Sequence, residues 1–185
     1  MYKDKIEKLL GELTDELSDR VSEIKMLLEI WEEEKISPQK IELEEENFRV
    51  DSSGWGKFTS KQGIRYLNNP EKDIWEYAGG VKKELIGQQL FTYLAAMRET
   101  KKAGKRIPTD KEFNQFNKED FGKIVYTGYR GTDNYFFNLS TVIFFWSSSV
   151  SGGAAWRRNL SSDRATVHRN ASSKSNGFSV RCLRD

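Results

Sequence analysis

Beyond residue 121 the chain has no stretch of helical period. It runs instead through short β-branched and aromatic segments: KIVYTGYR, VIFFWSS, AAWRRNL, ATVHRN and FSVRCL. Clusters of Gly, Ser, Asn and Asp separate them. Segments this short, with turn chemistry at each boundary, predict strands of a small antiparallel sheet. Whatever precedes residue 121 must therefore supply the helices.

Two upstream segments do. LIGQQLFTYLAAMRETKKAGK (85–105) brings Leu90, Leu94 and Met97 to one face, and Gly104 is placed to end the helix. In RIPTDKEFNQF (106–116), Thr109 precedes Glu112 by three residues, the spacing of a capping box, so a short helix begins there. SSGWG and YAGG mark turns in residues 51–80, and IELEEENFRV (41–50) reads as a linker or a strand.

The N-terminal stretch reads as one long helix over residues 3–36. Ile6, Leu10, Leu13, Leu17, Ile24, Leu27 and Trp31 recur at spacings close to a heptad seam, with Arg20 interrupting, and Pro38 stops the helix. Two readings stay open: a coiled coil that makes a homo-oligomer, and an amphipathic helix lying on its own domain. Helix, two helices, then strands is an α+β plan, with an N-terminal amphipathic helix over 1–38 and a second domain over 39–185.

Charge is unevenly spread. Residues 1–50 hold 8 Lys/Arg against 15 Asp/Glu, and residues 51–185 hold 22 against 13. An acidic run of this kind is ordinarily a solvated helix face. One cysteine excludes an internal disulfide and any multi-cysteine zinc cluster, and Cys182 in FSVRCL reads as a small buried hydrophobe. MYKDKIEKLL is charged from its third residue, unlike a secretory signal, and no apolar run reaches the roughly 20 residues of a membrane helix. A soluble protein is expected, cytoplasmic or carried to a cell or virion surface by a route other than Sec export.

Several chemistries lack their residues. Neither GxGxxG nor a phosphate-binding GxxxxGK[ST] occurs. His168 is the one histidine, too little for a histidine metal site or a Ser-His-Asp triad. No catalytic residue, metal or cofactor is expected. Residues 141–185 carry seven Lys/Arg against two acids with aromatics between them, material for single-strand binding, but no nucleic-acid motif accompanies it.

The sharpest local feature is a composition step. Met, Gln, Lys, Glu and Trp make up 46 of residues 1–140, a rate that puts about twelve in the 36 residues 141–176; there are three, Trp146, Trp156 and Lys174. None of these five types has a codon ending in C, and every other residue of 141–176 does. That is the residue set reached when AAC codons are randomised at their adenines between a few fixed positions. Loop chemistry alone, which favours Ser, Gly and Asn, is the competing explanation.

GKRIPTDKEF (104–113), GYRG (128–131), FFWSSS (144–149), AW (155–156), ATVHR (165–169) and GFSVRCLRD (177–185) follow in order. Together they resemble the C-type-lectin-like fold shared with formylglycine-generating enzymes and, more closely, the variable proteins of diversity-generating retroelements. The resemblance covers about residues 85–185. It implies a fold of small antiparallel sheets and two helices. It also implies a C-terminal surface rewritten by a reverse transcriptase that copies a template repeat with errors at adenines. On that pattern the varied, ligand-facing positions are Phe144, Gly153, Ala154, Arg157, Asn159, Ser161, Asp163, Arg164, His168, Ala171, Ser172 and Asn176. Trp146, Trp156, Phe178 and Cys182 are framework, as are Arg158, Arg169 and Lys174.

The resemblance further implies that Trp146 and Trp156 anchor the strands. GFSVRC becomes an inner strand, with Phe178, Val180 and Cys182 inward and Ser179 and Arg181 on the other side. The partner is an unspecified protein or cell-surface target, and Arg157, Arg158, Arg164 and His168 beside Phe144 suit an anionic or polar epitope. Formylglycine-generating enzymes use active-site cysteines, and calcium lectins use Glu-Pro-Asn, Gln-Pro-Asp or Trp-Asn-Asp; this chain has Cys182 and none of those motifs. The alternatives are a fixed structural or cell-envelope module of the same fold, or a divergent enzyme of the formylglycine-generating type, which a converging polar pocket would mark.

Overall fold

In a computed structural model of the chain, the described residues are 41–184 together with Lys3, Ile6, Leu17, Arg20, Val21, Ile24 and Lys25. The chain divides into two units, residues 1–40 and 41–185. The seven described positions of the first unit are helical and exposed. Leu10, Leu13, Leu27 and Trp31 of the predicted seam, and so the helix over 3–36 as a whole, lie outside the described residues.

The second unit is mixed α and β. Its first sheet has four antiparallel strands in chain order: β1 (Gly56–Thr59), β2 (Arg65–Asn69), β3 (Ile74–Gly79) and β4 (Gln89–Phe91). Side chains build its turns. Ser60 Oγ accepts from the Gln62 and Ile64 amides, and Asn69 Oδ1 accepts from the Glu71 and Lys72 amides.

Helix α1 is shorter than its apolar pattern predicts, covering Tyr93–Lys102 and not 85–105. Residues 89–91 pair with β3 instead, and Thr92 Oγ1 caps the helix by accepting from the Ala95 amide at 3.3 Å. Leu90 is thus a buried strand residue, while Leu94 is 68% exposed. The face that packs is Tyr93, Ala95, Ala96, Glu99 and Thr100. Helix α2, Asp110–Phe113, starts where the capping box placed it: the Glu112 amide donates to Thr109 Oγ1 at 3.2 Å, and the Thr109 amide donates to Glu112 Oε2 at 2.8 Å.

Of KIVYTGYR, the residues Tyr129–Arg130 form a strand, β5, paired with β6 (Phe136–Phe137). Gly128 breaks the run, at φ +66 and with its Cα so near the Phe137 carbonyl that a Cβ would sit 2.2 Å from that oxygen. The third sheet is β7 (Val142–Ser151), β8 (Ala154–Ser161) and β9 (Val167–Ser173), antiparallel and in chain order.

The segment 177–183 ties the sheets together, and here the structure corrects the expectation of a strand with an inner and an outer side. Phe178 exchanges two backbone hydrogen bonds with Phe91 of β4, the Ser179 amide donates to the Phe144 carbonyl of β7, and the Phe48 and Glu44 amides donate to the Val180 and Cys182 carbonyls. It sits between layers, so both of its sides are interior. Phe178, Val180 and Cys182 join Phe91, Tyr93 and Trp146 in one apolar cluster. Ser179 Oγ lies 2.8 Å from Thr127 Oγ1. The buried Arg181 guanidinium donates to the carbonyls of Glu44, Glu45 and Phe121 and to Asn47 Oδ1, and burial pulls its pKa down to about 10.

Candidate functional site

Strand register sorts the residues of the third sheet. Phe144 pairs with Asn159 and Asn159 with His168; Trp146 pairs with Arg157 and Arg157 with Asn170. Paired residues project to the same side of a sheet, and alternate residues share a side. One face therefore carries Phe144, Trp146, Arg157, Asn159, Ser161, His168, Asn170 and Ser172. Hydrogen bonds along it agree: Arg157 Nε donates to Ser172 Oγ at 2.7 Å and Arg157 Nη1 to Asn159 Oδ1 at 2.5 Å.

Burial falls across this face from strand to strand. On β7, Phe144 and Trp146 are buried beneath the 177–183 segment; on β8, Arg157, Asn159 and Ser161 are half-buried; on β9, Ser172 is half-buried and His168 and Asn170 are exposed. Trp146 donates from Nε1 to the Phe91 carbonyl at 2.8 Å. Covering the β7 end alone makes a surface with a fixed aromatic floor and an open polar edge.

The opposite face packs on α2 and its loop. Ile143, Phe145 and Leu160 join Phe113, Phe116 and Phe121. Arg158 is 2% exposed and donates to Asp110 Oδ1 at 2.7 Å, to the Asp110 carbonyl at 2.8 Å and to Asn114 Oδ1 at 2.8 Å. Arg169 reaches the same carboxylate from β9, with Nη2 2.8 Å from Oδ2. The hydrogen bonds from Arg169 and then Arg158 hold the Asp110 pKa below its ordinary value against the opposing effect of burial. Nothing in the local sequence marked Asp110 as this hub, because its two partners lie 48 and 59 residues away.

The twelve predicted ligand-facing residues divide accordingly. Arg157, Asn159, Ser161, His168 and Ser172 come together on the open face. Phe144 shares that side but is 6% exposed, with its ring stacked on Phe178 at 5.3 Å and edge-on to Tyr129 at 4.9 Å; its expected ligand-facing role is corrected to a floor position, because the 177–183 segment covers it. Ala171 pairs with Trp156 on the other face. Gly153 and Ala154 lie at the β7–β8 turn, Asp163 and Arg164 in the exposed β8–β9 loop, and Asn176 in the turn after β9. That β8–β9 loop is tied down by Lys118, whose Nζ donates to the Ser161 and Arg164 carbonyls at 2.7 Å each, beside an open cleft of about 590 Å³.

Trp156 is also corrected. It is half-buried, outside the apolar clusters, and lies under the Arg169 guanidinium at 3.4 Å from its ring centroid. Sequence reasoning missed Asn170, which sits in the same row as Arg157; the strand period through residues 168, 170 and 172 was the available signal. Lys174 accepts from the Tyr93 amide at its carbonyl and holds its Nζ 5.4 Å over the Tyr93 ring.

Among the described residues no group of three or more His, Cys, Asp or Glu is placed to hold a metal ion, and no helix is long and apolar enough to cross a membrane. Comparison with protein-family models, with curated proteins and with solved structures returns no match to this chain.

Proposed function

We propose that the chain is a ligand-display protein of C-type-lectin-like architecture, whose β8–β9 face and adjoining turns are diversified by adenine-directed copying to bind varied targets. One observation carries this reading. Five residues that the resemblance gives as varied, Arg157, Asn159, Ser161, His168 and Ser172, share one face of a sheet, and burial on that face decreases from β7 toward β9. A face with that gradient accepts new side chains cheaply at its edge, where surface substitutions usually shift stability within about 0.5 kcal/mol. The floor beneath it keeps its shape through Trp146 and Phe178. Display on rigid strands also limits the ordering cost of binding.

The experiment is to sequence the DNA flanking the gene. The reading expects a reverse transcriptase gene and a near-copy of the segment encoding residues 141–185, differing from it where the copy has adenine. Codons 157, 159, 168, 170 and 172 should be among the differing ones, and codons 146 and 178 should match. A flank without such a repeat defeats the reading and leaves a fixed module of the same fold.

A further inference from the structure

The open face of β8–β9 has one strong charge and, among the described residues, no ionic partner for it. Arg157 is half-buried, and among the described residues no carboxylate forms an ion pair with it. Its sheet neighbours differ: Arg158 and Arg169 both end on Asp110, on the opposite face. The other face residues, Asn159, Ser161, His168, Asn170 and Ser172, include no acid.

The guanidinium is also held still. Ser172 Oγ takes Nε–H at 2.7 Å, Asn159 Oδ1 takes one Nη1–H at 2.5 Å, and the Phe144 ring lies beneath with its centroid 4.8 Å from Cζ. A guanidinium has five N–H donors. The three not used here all sit on the terminal nitrogens, the pair that meets a carboxylate end-on. Burial lowers the Arg157 pKa, the sign of a cation partly stripped of water and not yet compensated. A fixed, partly desolvated fork loses little rotamer freedom on binding, so its interaction with an anion is stronger than that of a solvated lysine.

We propose that this face binds a carboxylate, presented by an acidic segment of a protein partner, on the Arg157 guanidinium. The proposal rests on the display reading and names its ligand chemistry. A protein partner fits because the face is open: one carboxylate contact in water is weak, and an interface burying roughly 800 Å² per side supplies the desolvation. A nucleic acid fits poorly, since its affinity comes from several neutralised phosphates and this face offers one uncompensated cation. Asn159, Asn170 and His168 around the fork supply neutral polar contacts at the rim.

The test pans a displayed library of random linear peptides against the full chain and against Arg157→Met, with Arg157→Gln as a second variant and melting curves to show that all three fold alike. The expected result is recovery of peptides with an Asp or Glu whose exchange for Asn or Gln weakens binding about thirtyfold to the unaltered chain, the scale for losing one partner of a desolvated charge pair. The same exchange should leave binding to Arg157→Met unchanged. Equal losses in both chains, or no recovered peptide that prefers the unaltered chain, overturn the proposal. So does competition by inorganic phosphate or single-stranded DNA where acidic peptides do not compete. Neutral peptides that still respond to Asn159→Ala and Asn170→Ala sink the carboxylate and leave the display reading standing. Peptides indifferent to every substitution on this face count against both.

Discussion

Arg158 on β8 and Asp110 at the start of α2 are joined by a 2.7 Å hydrogen bond with the arginine almost wholly buried, which ties the short helix to the sheet through a buried ion pair. Arg158 also takes the Asp110 carbonyl and Asn114, leaving its charge well satisfied. Arg169 shares the carboxylate from a position 45% exposed at its side chain. Two arginines on one acid thus differ mainly in their access to water.

That difference sets the first prediction. Arg158→Met should destabilise the protein by about 3 kcal/mol, because it leaves Asp110 and the α2 carbonyl without their buried donor. Arg169→Met should cost clearly less than Arg158→Met, as for an exposed pair. Urea unfolding of the two variants measures both, and equal losses would contradict the assigned geometry.

The burial gradient across the third sheet makes a second prediction. Phe144→Ala removes a ring packed on Phe178 and Tyr129 and should cost about 3–4 kcal/mol. Asn170→Ser and His168→Ser, two strands away at the open edge, should each stay within about 0.5 kcal/mol. Thermal melts of the three separate a floor position from replaceable ones.

Acid sensitivity follows from two carboxylates at α2. The Arg106 hydrogen bonds hold the Glu112 pKa down to about 2, and Arg169 and Arg158 hold Asp110 down as well. A carboxylate with a depressed folded pKa contributes stability that is complete above its unfolded value and is lost as pH falls through the folded one. The Glu112 contribution should therefore persist above pH 4.5, its ordinary value, and decline from there toward pH 2. Urea midpoints across that range should fall, and Glu112→Gln should flatten the decline.

The N-terminal unit carries Ile6, Leu17 and Ile24 on helical residues with 56–59% exposure. Apolar side chains at seam positions that stay this exposed fit burial against a second copy. Sedimentation equilibrium on the full chain should give an oligomer, and Leu17→Glu with Ile24→Glu should give a monomer. A monomer before substitution would leave the seam without that role.

Local chemistry was readable in advance wherever the interaction closes within a few residues. The capping box of Thr109 and Glu112 spans three positions, and the structure has α2 beginning there. Three of the five short runs after residue 121 became β7, β8 and β9 because their turn residues and β-branched content act locally, whereas KIVYTGYR kept two strand residues and FSVRCL became a segment between layers. Helix α1 was half legible: an apolar run such as QQLF suits a buried strand or a helix equally, and only the pairing of β4 with β3 chose between them.

Local pattern alone was enough for an α+β chain with short antiparallel strands after residue 121, and for a run of restricted composition over residues 141–176. It did not determine which of those residues face water. Period two says which side of a sheet a residue takes, but not what lies on that side. Phe144 and His168 share a face, and one is buried while the other is exposed because the 177–183 segment covers β7 and stops short of β9. That covering, like the meeting of Arg158 with Asp110, joins residues dozens of positions apart. Only tertiary packing brings such residues within the few ångströms over which hydrogen bonds and dispersion act.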